Sequence, residues 1–261
     1  MLGRLNIVRI ASLGSGSSGN ALLIEYQDTR ILVDCGFSLK ETERRLALLG
    51  TGAENIDAVL VTHEHGDHIK GVGALARKYG LQVFLTQGTS RRSNLGKISS
   101  LHFINTHQPF MIGALGIQPV AVPHDAGEPC QFVFEYGAKK LGLLTDLGSI
   151  TPFVKRHYSG LNALLVECNH DLAMLEQGPY PKAVQRRISS AYGHLSNEQT
   201  SVLLQSIDTS SLECLVLMHL SRQNNCSQLA LDTIVAATGC DENWPIMADQ
   251  DQGFDWLELF Y

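Results

Sequence analysis

The sequence predicts an α/β fold of four layers, helix–sheet–sheet–helix, that forms a single domain over residues 1–261. Short runs rich in Ile, Leu and Val cluster in the first half of the chain, and strand-like and helix-like segments alternate in the second half. No repeat, low-complexity tract or Pro/Ser-rich linker divides the chain. Its 261 residues, of which 44% are hydrophobic, are enough to build one large buried core.

Strands dominate the expected first half. Ser38 begins a helix that ends at Gly50, because a serine N-cap and a C-terminal glycine enclose its apolar positions. A fully buried strand over 56–62 turns into a helix over 63–80, and a polar stretch over 89–100 separates it from later strands. The expected strands are 5–13, 21–27, 30–36, 56–62, 81–86, 109–124, 131–137 and 139–146.

Helices and strands alternate in the expected second half. The expected helices are 154–160, 181–192, 197–207 and 229–239. The expected strands are 161–169, 212–219 and 254–261.

A flexible loop with the sequence GSGSSGN joins the first two expected strands over Gly14–Asn20. Its glycines permit positive φ angles, and its serines can bond to the backbone. Two interpretations stay open. The backbone N–H groups of the loop bind a phosphate, or the loop is a tight strand connection near a site.

The composition excludes some classes of protein. The chain has 20 Lys+Arg and 26 Asp+Glu, a net charge of -6 that disfavours non-specific phosphate binding over the whole surface. No apolar run approaches the ~20 residues of a membrane helix, and the N-terminus does not resemble a signal peptide, so we expect no membrane partner. Six cysteines without a CxxC pair indicate reduced, mostly buried thiols and a cytoplasmic protein.

The strongest functional signal is THEHGDH, which directly follows the buried strand 56–62. It places His63, His65, Asp67 and His68 on a turn from a strand into a helix, where they can converge on two adjacent metal positions. Imidazole ligands suit Zn, Mn or Fe, and a carboxylate can serve a second, harder site. The alternative is a solvated polar turn that happens to be rich in histidine.

Four further residues also end strand-like runs: Asp34, His124, Asp146 and His219. Sites in sheet-based folds assemble at the carboxyl ends of strands. One histidine in such a place is most often a capping or core residue, but this many at matching positions favour a common site.

The sequence resembles the metallo-β-lactamase superfamily, whose HxHxDH signature stands here as His63 to His68. Within the superfamily it resembles the YycJ/WalJ (VicX) group of bacterial proteins. The segments that carry this second resemblance are GSGSSGN, THEHGDHIKGVGALARKYG, ECNHD, YPKAVQRRISSAYGHLSNEQT and MHLSRQNN. The resemblance implies the four-layer αββα fold and the hydrolysis of phosphodiester bonds.

The resemblance also implies a site with two divalent metal ions, Zn or Mn. The implied ligands of one ion are His63, His65 and His124, those of the other are Asp67, His68 and His219, and Asp146 bridges the two. The expected catalytic residues are Asp67 and His194. Asp34 is expected to orient a ligand histidine rather than to bind metal.

His194 stands before the last ligand, where in the phosphodiesterase branch of the superfamily a histidine lies beside the substrate phosphate. It is expected to stabilise charge or to protonate the leaving oxygen. Alternatively, it closes the turn before a helix that Ser196 caps. His170, beside Glu167, either supports the site or lies in a surface turn.

The favoured function is a 5′→3′ exonuclease that hydrolyses DNA through a metal-bridging hydroxide, with DNA as the partner. The alternatives are a small-molecule phosphodiesterase, a thioester hydrolase of the glyoxalase II type, and a non-catalytic binding module. Three basic pairs are candidate contacts to a nucleic acid backbone, or simply solvated helix faces: Arg91–Arg92, Lys155–Arg156 and Arg186–Arg187.

Overall fold

Two seven-stranded sheets form the centre of the structure, a computed structural model that describes residues 7–260. In chain order the strands are β1 (Ile7–Gly14), β2 (Ala21–Tyr26), β3 (Thr29–Val33), β4 (Ala58–Leu60), β5 (Gln82–Leu85), β6 (Leu101–Phe103), β7 (Phe110–Ile112), β8 (Leu115–Ala121), β9 (Cys130–Tyr136), β10 (Lys139–Leu144), β11 (Ala163–Glu167), β12 (Cys214–Met218), β13 (Ile246–Met247) and β14 (Phe254–Phe260).

The two sheets share one plan. The first has the order β14-β1-β2-β3-β4-β5-β6, antiparallel as far as β3 and parallel from β3 to β6. The second has the order β13-β12-β11-β10-β9-β8-β7, antiparallel from β7 to β10 and parallel from β10 to β13. Each sheet therefore has a parallel part whose carboxyl ends can supply site residues from neighbouring strands.

Helices follow the parallel strands. In chain order they are α1 (Leu39–Leu48), α2 (Gly66–Ile69), α3 (Val72–Tyr79), α4 (Gln87–Arg92), α5 (Pro152–His157), α6 (Leu172–Gln177), α7 (Lys182–Ile188), α8 (Asn197–Ser206) and α9 (Ser227–Thr238), with a 3₁₀ turn at Ala53–Asn55. Helix α1 begins at Ser38, whose side chain accepts from the Glu41 N–H, and α8 has a complete capping box between Ser196 and Gln199.

Three apolar clusters define four layers. One fills the space between the sheets and includes Ile24 and Phe134. A second packs α5, α8 and α9 on the outer face of the second sheet, and a third packs α1 and α3 on the outer face of the first. Burying each large aliphatic side chain in such clusters contributes about 1.5–3 kcal/mol, which holds the layers together. The predicted four-layer αββα sandwich is confirmed.

Some element predictions were wrong in detail. The expected helix over 63–80 is two helices, because the backbone between them bonds to Cys35 instead: Cys35 N–H donates to His68 O, and Gly71 N–H donates to Cys35 O. A Cβ on Gly71 would lie 2.2 Å from Phe37 O, so only glycine fits there. Helix α4 reaches into the polar stretch 89–100, and α6, β6 and β13 were not predicted.

The first and last predicted strands extend beyond the residues that the structure describes. The expected first strand begins at residue 5 and the expected last strand ends at 261, and residues 5, 6 and 261 lie outside the described residues. Between residues 7 and 260, the apolar helices are all too short to cross a lipid bilayer. All six cysteines are free thiols, and Cys35, Cys130 and Cys168 are buried.

Candidate metal centre

The predicted site residues meet where strands of both sheets end. Asp34 follows β3 directly, His219 follows β12 directly, and Asp146 lies two residues after β10. All three have left-handed backbones, with φ of 61°, 57° and 51° respectively. Such conformations cost about 1–3 kcal/mol each and persist where the surrounding structure imposes them, which is typical of functional sites.

Three histidines form the first cluster. His63 Nε2 lies 3.0 Å from His65 Nδ1, and His124 Nε2 lies 3.2 Å from the same atom. These nitrogens face one another closely enough to share one metal ion. Burial lowers the pKa of His63 and of His124, so both rings are neutral and ready to bind metal.

Bonds on the far side of two rings set their tautomers. Thr62 Oγ1 donates to Asp34 Oδ2 at 2.8 Å and therefore accepts from His63 Nδ1 at 2.9 Å. His124 Nδ1 donates to Gly193 O at 2.9 Å. A proton on each Nδ1 leaves Nε2 with its lone pair directed at the cluster.

The second cluster contains Asp67, His68 and His219. Asp67 Oδ2 lies 3.6 Å from His68 Nε2 and 3.8 Å from His219 Nε2. His68 Nδ1 donates to Asp34 Oδ2 at 2.8 Å, the contact that the sequence led us to expect of Asp34. The same carboxylate thus orients His68 directly and His63 through Thr62.

Asp146 lies between the two clusters. Its Oδ2 is 3.1 Å from His68 Nε2, and its Oδ1 is 4.0 Å from His124 Nε2. Burial opposes its ionisation, but His219 and His68 hold the pKa of Asp146 well below its usual value. A carboxylate in this position can contact ions on both sides.

Charges differ between the clusters. Burial opposes protonation of His68 and His219, yet the Asp146 carboxylate raises the pKa of His68 well above its ordinary value and that of His219 to about 10. In the metal-free protein these two rings therefore carry protons that a bound cation must displace.

Glu167 is a site residue whose role the sequence did not reveal. It ends β11, is fully buried, and accepts four hydrogen bonds. Oε1 accepts from His194 Nδ1 at 2.7 Å and from His219 Nδ1 at 3.1 Å, and Oε2 accepts from the N–H groups of Leu147 (2.9 Å) and Leu195 (3.0 Å). Its position at a strand end and its place in the ECNHD segment were the available signals.

His194 lies beside the clusters, with its ring 5.2 Å from those of His124 and His219. Burial lowers its pKa, but the Glu167 carboxylate outweighs this effect and raises the pKa of His194 above its ordinary value. Nδ1 is occupied by Glu167, so the other ring nitrogen is available at the cavity that His194 lines. A protonated imidazole held in this way has the charge and the free N–H group that a general acid requires.

The Gly14–Asn20 loop braces the site. Asn20 Nδ2 donates to Asp67 O at 3.3 Å and lies 3.4 Å from Asp67 Oδ2, and Ser15 Oγ accepts from the His219 N–H at 2.8 Å. The N–H groups of residues 15, 16, 19 and 20 all donate to protein acceptors. These bonds favour the tight connection over a phosphate nest.

The donor set fits divalent cations. It combines imidazole nitrogens with carboxylate oxygens, the ligands of Zn and Mn sites. Within residues 7–260, His219 Nε2 is buried without a hydrogen-bond partner, and Asp67 Oδ2 at 3.8 Å is too far to serve as one. A buried nitrogen left open in this way is what a metal ligand requires.

A cavity of about 360 Å³ opens beside the clusters. Its lining includes His65, Asp67, Asp146, His194 and His219, together with Asp125 and Arg187. His170 is fully buried behind the site and lines a separate cavity of about 230 Å³. The three histidines without an assigned role, His102, His107 and His157, line neither of these two cavities.

The sandwich and its histidine–carboxylate centre define a metal-dependent hydrolase. The model of the β-lactamase superfamily domain matches residues 29–220, and the chain belongs to this superfamily. The predicted resemblance to the metallo-β-lactamase superfamily is thus confirmed.

The relatives agree with the narrower resemblance. The chain is 37% identical over 228 residues to exodeoxyribonuclease YycJ of Bacillus anthracis, covering 84% of each chain. It is 36% identical over 229 residues to exodeoxyribonuclease WalJ of Streptococcus pneumoniae, covering 85% of each. Among solved structures, the metallo-β-lactamase fold protein YhfI of Bacillus subtilis has a TM-score of 0.74 at 19% identity, over 97% of this chain and 100% of the other.

Proposed function

We propose that this protein is a dinuclear metal-dependent phosphodiesterase that degrades DNA from the 5′ end. The observation that carries this proposal is the pair of ligand clusters with the Asp146 carboxylate between them. The names of the Bacillus anthracis and Streptococcus pneumoniae relatives, both exodeoxyribonucleases that match most of this chain, support DNA as the substrate. The 5′→3′ direction rests on the resemblance to the YycJ/WalJ group.

Each ion would have its own set of ligands. His63, His65 and His124 would hold one, Asp67, His68 and His219 would hold the other, and Asp146 would contact both. Their mixed nitrogen and oxygen donors suit Zn or Mn. Two bound divalent ions would lower the pKa of a coordinated water and neutralise charge on the phosphate oxygens.

The side chains around the ligands would complete the chemistry. Asp67 lines the cavity, where its carboxylate would position a water for attack as well as bind metal. His194, protonated through Glu167, would donate a proton to the leaving oxygen. General-acid help of this kind is worth about 10²–10⁴-fold in rate.

The test is hydrolysis of end-labelled DNA by the protein loaded with Mn²⁺ or Zn²⁺, using 5′-labelled and 3′-labelled strands in parallel. We expect mononucleotides from the 5′ end first, and cleavage of bis-p-nitrophenyl phosphate. Both activities should disappear in Asp146→Ala. Cleavage of a thioester without cleavage of either diester would overturn the proposal, and release from the 3′ end would overturn its direction.

The role of His194 is tested by His194→Ala. We expect the variant to retain the metal content of the wild-type protein and to lose about 10²–10⁴-fold in kcat. His107→Ala, at an exposed histidine outside the cavity, is the matched control. Loss of metal from the His194 variant would contradict the role as proton donor.

A further inference from the structure

Two of the three basic pairs in the sequence meet at one loop beside the metal centre. This loop, residues 125–128, follows the ligand His124. On one side Arg187 Nε donates to Asp125 Oδ2 at 2.5 Å. On the other side Arg92 Nη1 lies 3.9 Å from Glu64 Oε1, and that oxygen accepts from the Gly127 N–H at 2.7 Å.

Asp125 connects Arg187 to the metal centre. Its Oδ1 lies 3.5 Å from His124 Nε2 and 3.7 Å from His65 Nε2, while its Oδ2 holds the guanidinium. An ordinary surface ion pair contributes little to stability. This pair instead fixes a cation at the edge of the cavity that contains the ligands.

Arg187 is well placed to bind a phosphate. It is the one Lys or Arg among the described residues that line this cavity, and its side chain is 65% exposed. The bond to Asp125 uses Nε and leaves both Nη groups for a ligand. A guanidinium binds phosphate oxygens through two parallel N–H bonds, which a lysine does not.

We propose that Arg187, positioned by Asp125, binds a phosphate next to the scissile one, and that Arg92 across the same loop contacts a further phosphate of the strand. This inference rests on the proposed function and adds the residues that would bind the DNA strand at phosphates beyond the one that is cleaved. Arg92 is 64% exposed, so it is free to take part. Lys155 and Arg156 lie on α5, and neither lines the cavity.

The experiment compares two substrates in the metal-loaded protein. Single-stranded oligothymidylate has neighbouring phosphates, whereas bis-p-nitrophenyl phosphate has one. For Arg187→Ala we expect KM for the oligonucleotide to rise about tenfold, as for loss of a charged hydrogen bond, and by more than any change in kcat/KM for the small diester. Arg92→Ala should act in the same direction, and Arg187→Lys should restore part of the affinity.

The matched control is Arg186→Ala. Arg186 is the neighbouring arginine on α7, is exposed, and does not line the cavity, so the variant loses the same charge without the proposed contact. The oligonucleotide affinity should also depend less on salt in Arg187→Ala. The slope of log affinity against log salt concentration should be shallower by about 0.7 than in the wild-type protein, as expected when one phosphate contact to a single strand is lost. Asp125→Asn should raise KM for the oligonucleotide in the same direction, because Arg187 then loses the carboxylate that positions it.

Two results would overturn the proposal that Arg187 and Arg92 bind phosphates of the strand. One is that Arg187→Ala loses the same fraction of kcat/KM on the oligonucleotide and on the small diester. The other is that Arg186→Ala raises KM for the oligonucleotide as much as Arg187→Ala does. If the wild-type protein cleaves neither substrate, the proposed function fails. Phosphate binding by Arg187 is then tested by fluorescence anisotropy with 3′-labelled oligothymidylate, and equal affinities of the wild-type protein and Arg187→Ala would refute it.

Discussion

Replacement of Glu167 by glutamine tests the buried carboxylate at the centre of the site. The two residues have the same shape, but a glutamine has one acceptor oxygen where the carboxylate has two. In the structure Oε1 accepts from the rings of His194 and His219, and Oε2 accepts from the N–H groups of Leu147 and Leu195. Glutamine can satisfy one of these pairs of donors and must present an NH₂ group to the other.

The magnitude follows from these contacts. If the NH₂ group faces the two backbone donors, two buried N–H groups lose their acceptor at about 1–3 kcal/mol each, or about 2–6 kcal/mol together. That is a large share of the ~5–15 kcal/mol by which a domain is stable. At roughly 2–4 °C per kcal/mol, the Tm of the variant should fall by about 4–24 °C.

The other orientation affects metal binding. If the NH₂ group faces the rings, Nδ1 of His219 must give up its proton and become an acceptor, and the proton that remains on the ring stays on Nε2, the atom that faces Asp67. That nitrogen can then no longer bind metal, and we expect metal affinity to fall about 10–100-fold, as when other outer partners of ligands are removed.

The assay combines thermal unfolding with metal content of Glu167→Gln. Glu176→Gln is the matched control, because Glu176 is an exposed carboxylate on α6. At least one of the two quantities must change by the amounts above. A variant with the Tm and the metal affinity of the wild-type protein would refute the reasoning, since both orientations of the amide would then be harmless.

Three further predictions follow from the same contacts. Asp34→Asn should weaken metal binding about 10–100-fold in a metal titration, because Asp34 orients His68 directly; unchanged affinity would show that the ring is held by other groups. Gly36→Ala should destabilise the protein by about 1–3 kcal/mol in urea unfolding, because a Cβ there would lie 1.8 Å from Asp67 O; unfolding at the urea concentration of the wild type would contradict this. Metal affinity should rise with pH, by about tenfold per unit for each proton displaced, up to the pKa of about 10 for His219 in the metal-free protein; calorimetry in two buffers of different ionisation enthalpy should detect proton release, and its absence would show that His219 is neutral before metal binds.

Local patterns in the sequence were enough for the fold class and for most of the candidate ligands. Apolar runs predict strands because a buried strand has hydrophobic residues at alternating or consecutive positions in the sequence. The segment His63 to His68 directly follows one of these predicted strands. The helix starts at Ser38 and Ser196 could be predicted in the same way, because an N-cap residue and the helix that it caps are adjacent in sequence.

Contacts between distant segments were not predictable in this way. Glu167 looked like any carboxylate at a strand end until β11 placed it against His194 and His219, 27 and 52 residues further on. The interruption between helices α2 and α3 depends on backbone hydrogen bonds to Cys35, which lies more than thirty residues earlier in the chain.

The sequence by itself picked out the candidate metal ligands, because position after a strand and donor type are local properties, and the resemblance to a known superfamily divided them between two expected ions. Tertiary structure alone decided which carboxylate orients which ring and which of the basic pairs reaches the site. Arg187 and Lys155 were equivalent in sequence, as members of exposed basic pairs on predicted helices. The structure distinguishes them, because α7 packs against the loop at Asp125 and Arg187 bonds to that residue. The sequence does not predict this bond, since the two residues are far apart along the chain and become neighbours only when it folds.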